Sequence, residues 1–280
     1  MDLNTITGVR HPANADAITK WEKGYAWLAG GTWLLSEPQI DTHTLIDLDS
    51  LKWPSLRPSK DGLEIAATCK IVELNQFEET APSEWTAVPL LRECCRSFLS
   101  SFKIWNSATV GGNICMSLPA GPMISLTTAL EGVCELWPRG GKPREEAVID
   151  FVTGNHVNTL APGELLRSIR LPASALKKTY AFRRFTLTHL GRSEVLIIGT
   201  KDPEKEDFRL TVTAATVRPI QFSFNDIPDA DGLKRAIDDA VPFSLYLDDV
   251  HGSPAHRKHL TYYFAEQIRQ ELSSQIKGHV

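Results

Sequence analysis

Apolar residues fall along the chain in short runs separated by turn-forming residues, a pattern that predicts many short elements. Tyr25-Ala26-Trp27-Leu28 reads as a short buried strand, Thr44-Leu45-Ile46-Asp47-Leu48 as a second, and Leu63-Glu64-Ile65-Ala66-Ala67 as a third. Ahead of them, Asn14 to Glu22 reads as a helix with Asn14 as N-cap and Ala17, Ile18 and Trp21 on one face. Pro38 forbids a long helix between the first two strands. Leu74, Phe77 and the segment Leu90–Phe102 behind Pro89 read as helices, the last leading to a glycine pair in mid-chain. Pro119-Ala120-Gly121-Pro122 excludes regular structure; Ser125 to Leu130 predicts a short helix and Val133–Trp137 a strand. Gly140-Gly141, between Pro138-Arg139 and Lys142-Pro143, reads as a hairpin loop, with Val148–Phe151 and Leu165–Leu171 as closing strands.

A composition shift at Ala173–Lys178 predicts a boundary. Beyond it, strands Tyr180–Phe185, Val195–Gly199 and Phe208–Val217 alternate with polar turns, of which Lys201–Asp207 is a solvated charge run. Helices Gly232–Ala240 and Pro254–Leu272 follow. An antiparallel sheet with helices on one face suits that order. The expected class is therefore α+β, with one domain over 1–175, in lobes of about 1–55 and 56–175, and a second over 176–280.

Composition narrows the function classes. The 280 residues are 42% hydrophobic and 23% charged with net charge −4, as in a globular protein, and the balance argues against a general nucleic-acid surface. No segment reaches the roughly 18 apolar residues of a membrane helix, and Met1-Asp2-Leu3-Asn4-Thr5 lacks the build of a signal peptide, so a cytoplasmic location is expected. Cys69, Cys94, Cys95, Cys115 and Cys134 offer no metal spacing and read as buried small hydrophobes. His256 and His259 read as a surface pair, and no H-E-x-x-H or G-x-S-x-G is present. The sequence offers no metal site and no catalytic acid/base pair, so if the protein handles electrons, an iron–sulfur cluster of its own is not the carrier.

Two glycine pairs supply the positive signal. Ala29-Gly30-Gly31-Thr32 follows the strand Tyr25–Leu28, and Ala108-Thr109-Val110-Gly111-Gly112-Asn113 follows the apolar and basic run Phe98–Trp105. Glycine permits φ > 0 and close backbone approach, so successive N–H groups can form a nest for phosphate oxygens. Thr109 and Asn113 add a hydroxyl and an amide. Two such turns suit a dinucleotide gripped between two lobes. Neither is G-x-G-x-x-G or G-x-x-x-x-G-K-[ST].

Leu28-Ala29-Gly30-Gly31-Thr32 and Thr109-Val110-Gly111-Gly112-Asn113-Ile114-Cys115 closely resemble the two FAD-binding motifs of the flavoprotein (medium) subunit of molybdenum hydroxylases, the family of xanthine dehydrogenase and carbon monoxide dehydrogenase. The resemblance covers essentially the whole chain. It implies a two-lobed FAD-binding domain of the vanillyl-alcohol oxidase type, then a C-terminal antiparallel sheet with helices. It also implies an oxidoreductase subunit active only with partners: a large molybdopterin-binding subunit and a small subunit with [2Fe–2S] clusters. Electrons would pass through FAD to NAD⁺ or another acceptor.

Carried over by motif, Leu28, Ala29, Gly30, Gly31, Thr32 and Trp33 from the first turn bind FAD with Ala108, Thr109, Val110, Gly111, Gly112 and Asn113 from the second. The first turn's backbone N–H groups are expected to contribute more than its side chains. Leu166 matches a family position that packs on FAD, with core packing the alternative; Arg183 matches a usually basic position, with a surface ion pair the alternative. Three segments depart from the family pattern: Ile104-Trp105-Asn106 for Ile-Arg-Asn, Met116-Ser117-Leu118 for Asn-Ala-Ser, and Pro122 in place of an Asp that holds a ribose hydroxyl. Losing that last hydrogen bond weakens FAD by about 1.5–3 kcal/mol, and together with Trp105 it motivates an alternative, a non-catalytic assembly subunit of the same fold that has lost or weakly binds FAD. Asp248 to Arg257 resembles the family's D-x-x-G-S-x-x-Y-R segment and reads as structural, with Ser253 an N-cap.

Overall fold

The protein is described from a computed structural model over residues 4–18, 20–188, 191–205 and 207–274. At the N-terminal end, β1 (Gly8–Arg10), β2 (Tyr25–Leu28) and β3 (Thr44–Asp47) form a parallel sheet in the order β1-β3-β2. The expected helix at Asn14–Glu22 is a single 3₁₀ turn, Ala15–Ala17. Asn14 does cap it through Oδ1, but Ile18 leaves helical geometry and is buried with Tyr25 and Ile46. Thr19, inside the expected span, lies outside the described residues.

The middle of the chain is built on a five-stranded sheet. It begins with β4 (Leu56–Ser59) and β5 (Gly62–Ala66), followed by helices α1 (Ile71–Gln76), α2 (Val88–Ser97) and α3 (Phe102–Trp105). Next come α4 (Val110–Met116) and α5 (Pro122–Ala129), then strands β6 (Val133–Trp137) and β7 (Arg144–Ala147). One helical turn, α6 (Val148–Phe151), and a small hairpin, β8 (Val152–Gly154) with β9 (Val157–Asn158), lead to β10 (Leu165–Pro172) and α7 (Ala173–Leu176). The sheet order is β4-β5-β10-β6-β7 and its pairs are antiparallel. Val148–Phe151 is thus a helical turn and not a strand, since Val148 N–H bonds to Gly132 O and the turn seats Phe151 in the core. The helix expected over Leu90–Phe102 stops at Ser97, where Phe98 leaves helical geometry.

The C-terminal sheet is β11 (Thr179–Phe185), β12 (Val195–Lys201), β13 (Phe208–Thr213) and β14 (Ile220–Phe224), antiparallel in chain order. Helices α8 (Ala230–Ala240) and α9 (Pro254–Ser274) pack together, and α9 lies against β11 and β12. A Cβ on Gly199 would meet Ile268 Cγ2 at 2.2 Å, so the absence of a side chain sets how closely α9 seats. The expected helices over one face are therefore present. A third helix, α5, packs against β12 and β13. Hence β12 is buried along its whole length, and so is α5. Two of the buried hydroxyls of α5 are satisfied: Thr127 Oγ1 donates to Met123 O (2.7 Å), and Ser125 Oγ pairs with Thr213 Oγ1 (2.6 Å). α5 is thereby fixed between the two large sheets, and the loop before it forms part of the site described next.

One ion-pair cluster ties β7 to the segment before β10. Arg144 grips Glu164 bidentately (Nε–Oε1 2.6 Å, Nη2–Oε2 2.9 Å) and also reaches Glu146 at 2.8 Å. The Arg144 hydrogen bond holds the buried Glu164 carboxyl below the usual carboxylate range. A depressed folded-state pKa contributes stability that is present above the unfolded value of about 4.3 and is lost as pH falls through the folded one. Glu164→Gln is therefore expected to flatten the acid limb of the stability–pH curve, as measured by urea midpoints across that range.

Candidate functional site

Where β2 ends, the backbone turns through Ala29-Gly30-Gly31, with Gly31 at φ +68°. This chain runs against the segment preceding α4. A Cβ on Gly30 would lie 1.8 Å from Ser107 O and 3.1 Å from Ala108 Cα, so the two glycine motifs touch. A cleft of about 420 Å³ opens between them. Ala29, Gly30, Gly31, Thr32, Trp33 and Leu34 line one side; Ala108, Thr109, Gly112, Asn113, Cys115 and Met116 line the other. Trp27, Phe98, Ile104 and Leu118 complete a largely apolar wall. A second cavity of about 250 Å³ shares Ala29, Gly30 and Thr109 with it and is lined also by Leu28 and by the charged or titratable His11, Asp47, Asp49 and Lys70. His11 Nδ1 lies 3.0 Å from Asp47 Oδ2, while Lys70 makes no ion pair among the described residues.

The two motifs play different parts. Among the described residues, no acceptor bonds to the N–H groups of Gly30, Gly31, Thr32, Trp33 and Leu34. Five consecutive donors on cleft-lining residues are left for a ligand, the property expected of an anion-binding turn. The central motif is not a nest. Gly111 and Gly112 fall in the first turn of α4, and its early amides are spent within the protein. Val110 N–H bonds to Cys69 O (2.8 Å), Gly111 N–H to Ala67 O (3.0 Å) and Gly112 N–H to Thr109 Oγ1 (3.0 Å). Nor does φ > 0 require these glycines. Close packing does: a Cβ on Gly111 would sit 2.6 Å from Ala67 Cα. Thr109 is the N-cap of α4, and its hydroxyl hydrogen is left to donate. Asn113 Oδ1 accepts from Met123 N–H (3.1 Å), which leaves its amide nitrogen at the cleft.

Of the residues picked out in sequence, Leu28 lines the second cavity, and Ala29 to Trp33, Ala108, Thr109, Gly112 and Asn113 line the main cleft. Four stand elsewhere. Val110 and Leu166 are packed in the central core, Leu166 opposite Leu136 on β6, and Gly111 is buried against Ala67. Arg183 on β11 pairs with Glu271 (2.6 Å) and Gln267 (3.0 Å) on α9. Trp105, which replaces the family's Arg, donates from Nε1 to Phe98 O (3.0 Å) and braces the loop before α3. Pro122 is the first residue of α5 and is buried, so no carboxylate stands there.

Several lining residues carried no local signal. Cys115 closes the second motif, and Met116 and Leu118, which follow it, were findable by adjacency. Phe98, Ile104, Lys70 and His11 reach the site only through the fold. Burial pushes the Cys115 thiol up to about 12, so it stays protonated. Beside the cleft lies a smaller polar cavity of about 90 Å³, sharing Leu118 and lined by Asn155, His156, Arg192, Asp249 and Arg257. Arg257 is engaged by Asp249 (2.6 Å), whereas Arg192 has no hydrogen bond or ion pair among the described residues. The His156 ring stands 5.7 Å from that of Trp33. No group of three or more His, Cys, Asp or Glu is arranged to hold a metal among the described residues.

Comparison with known proteins agrees with this geometry. Residues 9–174 match the family described as the FAD binding domain in molybdopterin dehydrogenase. The beta subunit of caffeine dehydrogenase from Pseudomonas sp. (strain CBB1) is 28% identical over 213 residues, 70% of this chain and 68% of the relative. Among solved structures, quinoline 2-oxidoreductase from Pseudomonas putida 86 superposes with a TM-score of 0.79 at 19% identity, covering 97% of this chain and 98% of that one. Reconstituted CO dehydrogenase from Oligotropha carboxidovorans gives 0.77 at 20% identity, covering 96% and 98%.

Proposed function

The chain belongs to the family of FAD-binding domains of molybdopterin dehydrogenases, and on that premise we propose that it is the electron-transfer subunit of a molybdenum hydroxylase, carrying FAD between iron–sulfur clusters and NAD⁺ or another acceptor. The contact of Gly30 with Ser107 and Ala108 carries the reading, because it puts both motifs on one cleft. The residues fit the group. Five unbonded amides suit a diphosphate, and the indole, phenyl and aliphatic walls suit two fused ring systems. FAD, when bound, supplies the exchange of electrons.

The chain's residues then bind and orient. The Gly30–Leu34 amides, the Thr109 hydroxyl and the Asn113 amide donate to phosphate and neighbouring oxygens. Trp27, Trp33, Phe98, Ile104 and Met116 exclude water from the rings. Gly111 sets the position of α4, and Lys70 supplies a cation in the second cavity, beside Asp47 and Asp49. Residues 1–175 form the cofactor domain in this reading, and Leu166 and Arg183 support it by packing and pairing. A large molybdopterin subunit and a small [2Fe–2S] subunit are the partners, in the cytoplasm. Among the described residues no helix is long and apolar enough to cross a membrane.

Titration of the purified protein with FAD tests the binding. Trp27 and Trp33 line the cleft, so their fluorescence is expected to be quenched as flavin absorption becomes protein-bound. Protein that takes up no added FAD would support instead the alternative of an assembly subunit, which the missing carboxylate at Pro122 favours. The acceptor is assigned an anionic group at the small polar cavity, because Arg192 stands there without a partner among the described residues. In the assembled complex, Arg192→Ala is expected to raise KM for NAD⁺ about tenfold while kcat with a neutral dye is unchanged, a loss typical of one charge-assisted hydrogen bond. An unchanged KM would remove the acceptor from this cavity.

A further inference from the structure

The loop that carries the five free amides is held by little of its own. Leu35 N–H bonds to Gly31 O and Ser36 N–H to Trp33 O, both at 2.8 Å and both internal to the loop. Trp33, which lines the cleft yet is 42% exposed, contacts the His156 ring at 5.7 Å with a 40° tilt. His156 stands at φ +58° in the turn between β8 and β9, a left-handed conformation that few side chains adopt. That turn is anchored to the opposite side of the cleft. His156 N–H bonds to Ser117 O (3.0 Å), while Asn158 Nδ2 donates to Cys115 O (2.8 Å) and Ser117 Oγ (3.1 Å), at the end of α4. The ring pair therefore joins the amide loop to the far side of the cleft.

We propose that Trp33 and His156 form a clasp across the cleft, in which His156 is a positioning residue that orders the amide loop and sets the rate at which cofactor leaves. The loop's own hydrogen bonds fix its shape but not its position. Gly30, packed on Ser107, fixes where the loop begins, and the anchored hairpin positions its Trp33 end through one ring contact. A dinucleotide under the loop is released only when the rings part, so the contact acts on dissociation more than on association. The part concerning release rests on the FAD reading above; the ordering of the loop does not.

The test uses Trp33→Ala, His156→Asn and the double variant of the full chain. Asparagine tolerates the left-handed turn and removes the ring. FAD release is followed after trapping by an excess of an apoflavoprotein, by the recovery of free-flavin fluorescence. Each single variant is expected to release FAD about threefold to tenfold faster, the range that an aromatic pair commands, and the double variant no faster than the quicker single. Trp33→Phe, which keeps a ring, is expected to restore most of the slow release. Hydrogen exchange on cofactor-free protein gives the second readout: the Leu35 and Ser36 amides are expected to exchange faster in His156→Asn by a similar factor. Release from His156→Asn at the parent rate, or effects of the two variants that simply multiply, overturns the clasp. If the parent chain takes up no FAD, the FAD reading fails, and the exchange of Leu35 and Ser36 alone decides the clasp: faster exchange supports it, and unchanged exchange removes it.

Discussion

Gly30→Ala is expected to weaken FAD binding by at least about a hundredfold, or about 2.7 kcal/mol, in a chain that still folds. The added methyl would lie 1.8 Å from Ser107 O and 2.6 Å from Ser107 C. These are backbone atoms, so no side-chain rotation relieves the overlap. The junction between the two motifs must open by roughly 1.5 Å to reach ordinary contact. A dinucleotide bridging both sides senses that displacement at every donor, and errors of about 1 Å in such sites cost two orders of magnitude. Gly31→Ala is the contrasting control. Its φ of +68° imposes about 1–2 kcal/mol of strain, but the nearest atoms, Leu35 Cδ1 at 2.8 Å and Leu28 Cδ1 at 3.1 Å, belong to side chains that can move. Titration by tryptophan quenching, with circular dichroism and melting to verify folding, separates the two. Parent-like affinity in Gly30→Ala would show that this junction does not align the site.

The same two glycine pairs show what a sequence can and cannot disclose. Their presence was legible because close approach and φ > 0 both demand glycine, but sequence does not say which demand applies. At Gly31 it is the dihedral; at Gly30 and Gly111 it is proximity, to Ser107 and Ala67. The central motif therefore looked like a second nest, and proved to be a helix start whose amides the β5–α1 connection and Thr109 consume. Strands with locally complete signals, such as Tyr25–Leu28 and Val133–Trp137, were legible to the residue. Val148–Phe151 was not, since four apolar-rich residues fit a strand or one helical turn equally well until Gly132 O is in place to accept. Lys70, His11, Phe98, His156 and Arg192 reach the cleft and its neighbouring cavities only through pairing of distant segments.

Arg257→Met is expected to destabilise the chain by about 3–5 kcal/mol, much of the stability of an ordinary domain. The side chain is 1% exposed and its donors are spread over three segments. Nη1 donates to Glu194 O (2.5 Å) and Ala214 O (2.8 Å), Nε to Gly252 O (3.2 Å) and Nη2 to Asp249 Oδ1 (2.6 Å). Methionine fills similar volume but strands two buried carbonyls and a carboxylate. The neighbouring sequence exists to make this arrangement possible. A Cβ on Gly252 would lie 2.0 Å from Glu194 Oε1, so glycine there makes room for a fully buried carboxylate. His256, read in sequence as one of a surface pair, keeps its side chain 42% exposed and also closes on that carboxylate through Nδ1 at 2.7 Å. Ser253 Oγ accepts from His256 N–H at 3.4 Å in the first turn of α9. Arg257→Lys keeps a charge but loses the forked geometry, and is expected to recover about half of the loss. Urea midpoints with m-values measure both. A parent-like midpoint for Arg257→Met would mean that the burial cost of the cation cancels its four bonds, leaving α9 held by apolar packing, Phe264, Ile268 and Leu272 included, and by its pairs with Arg183.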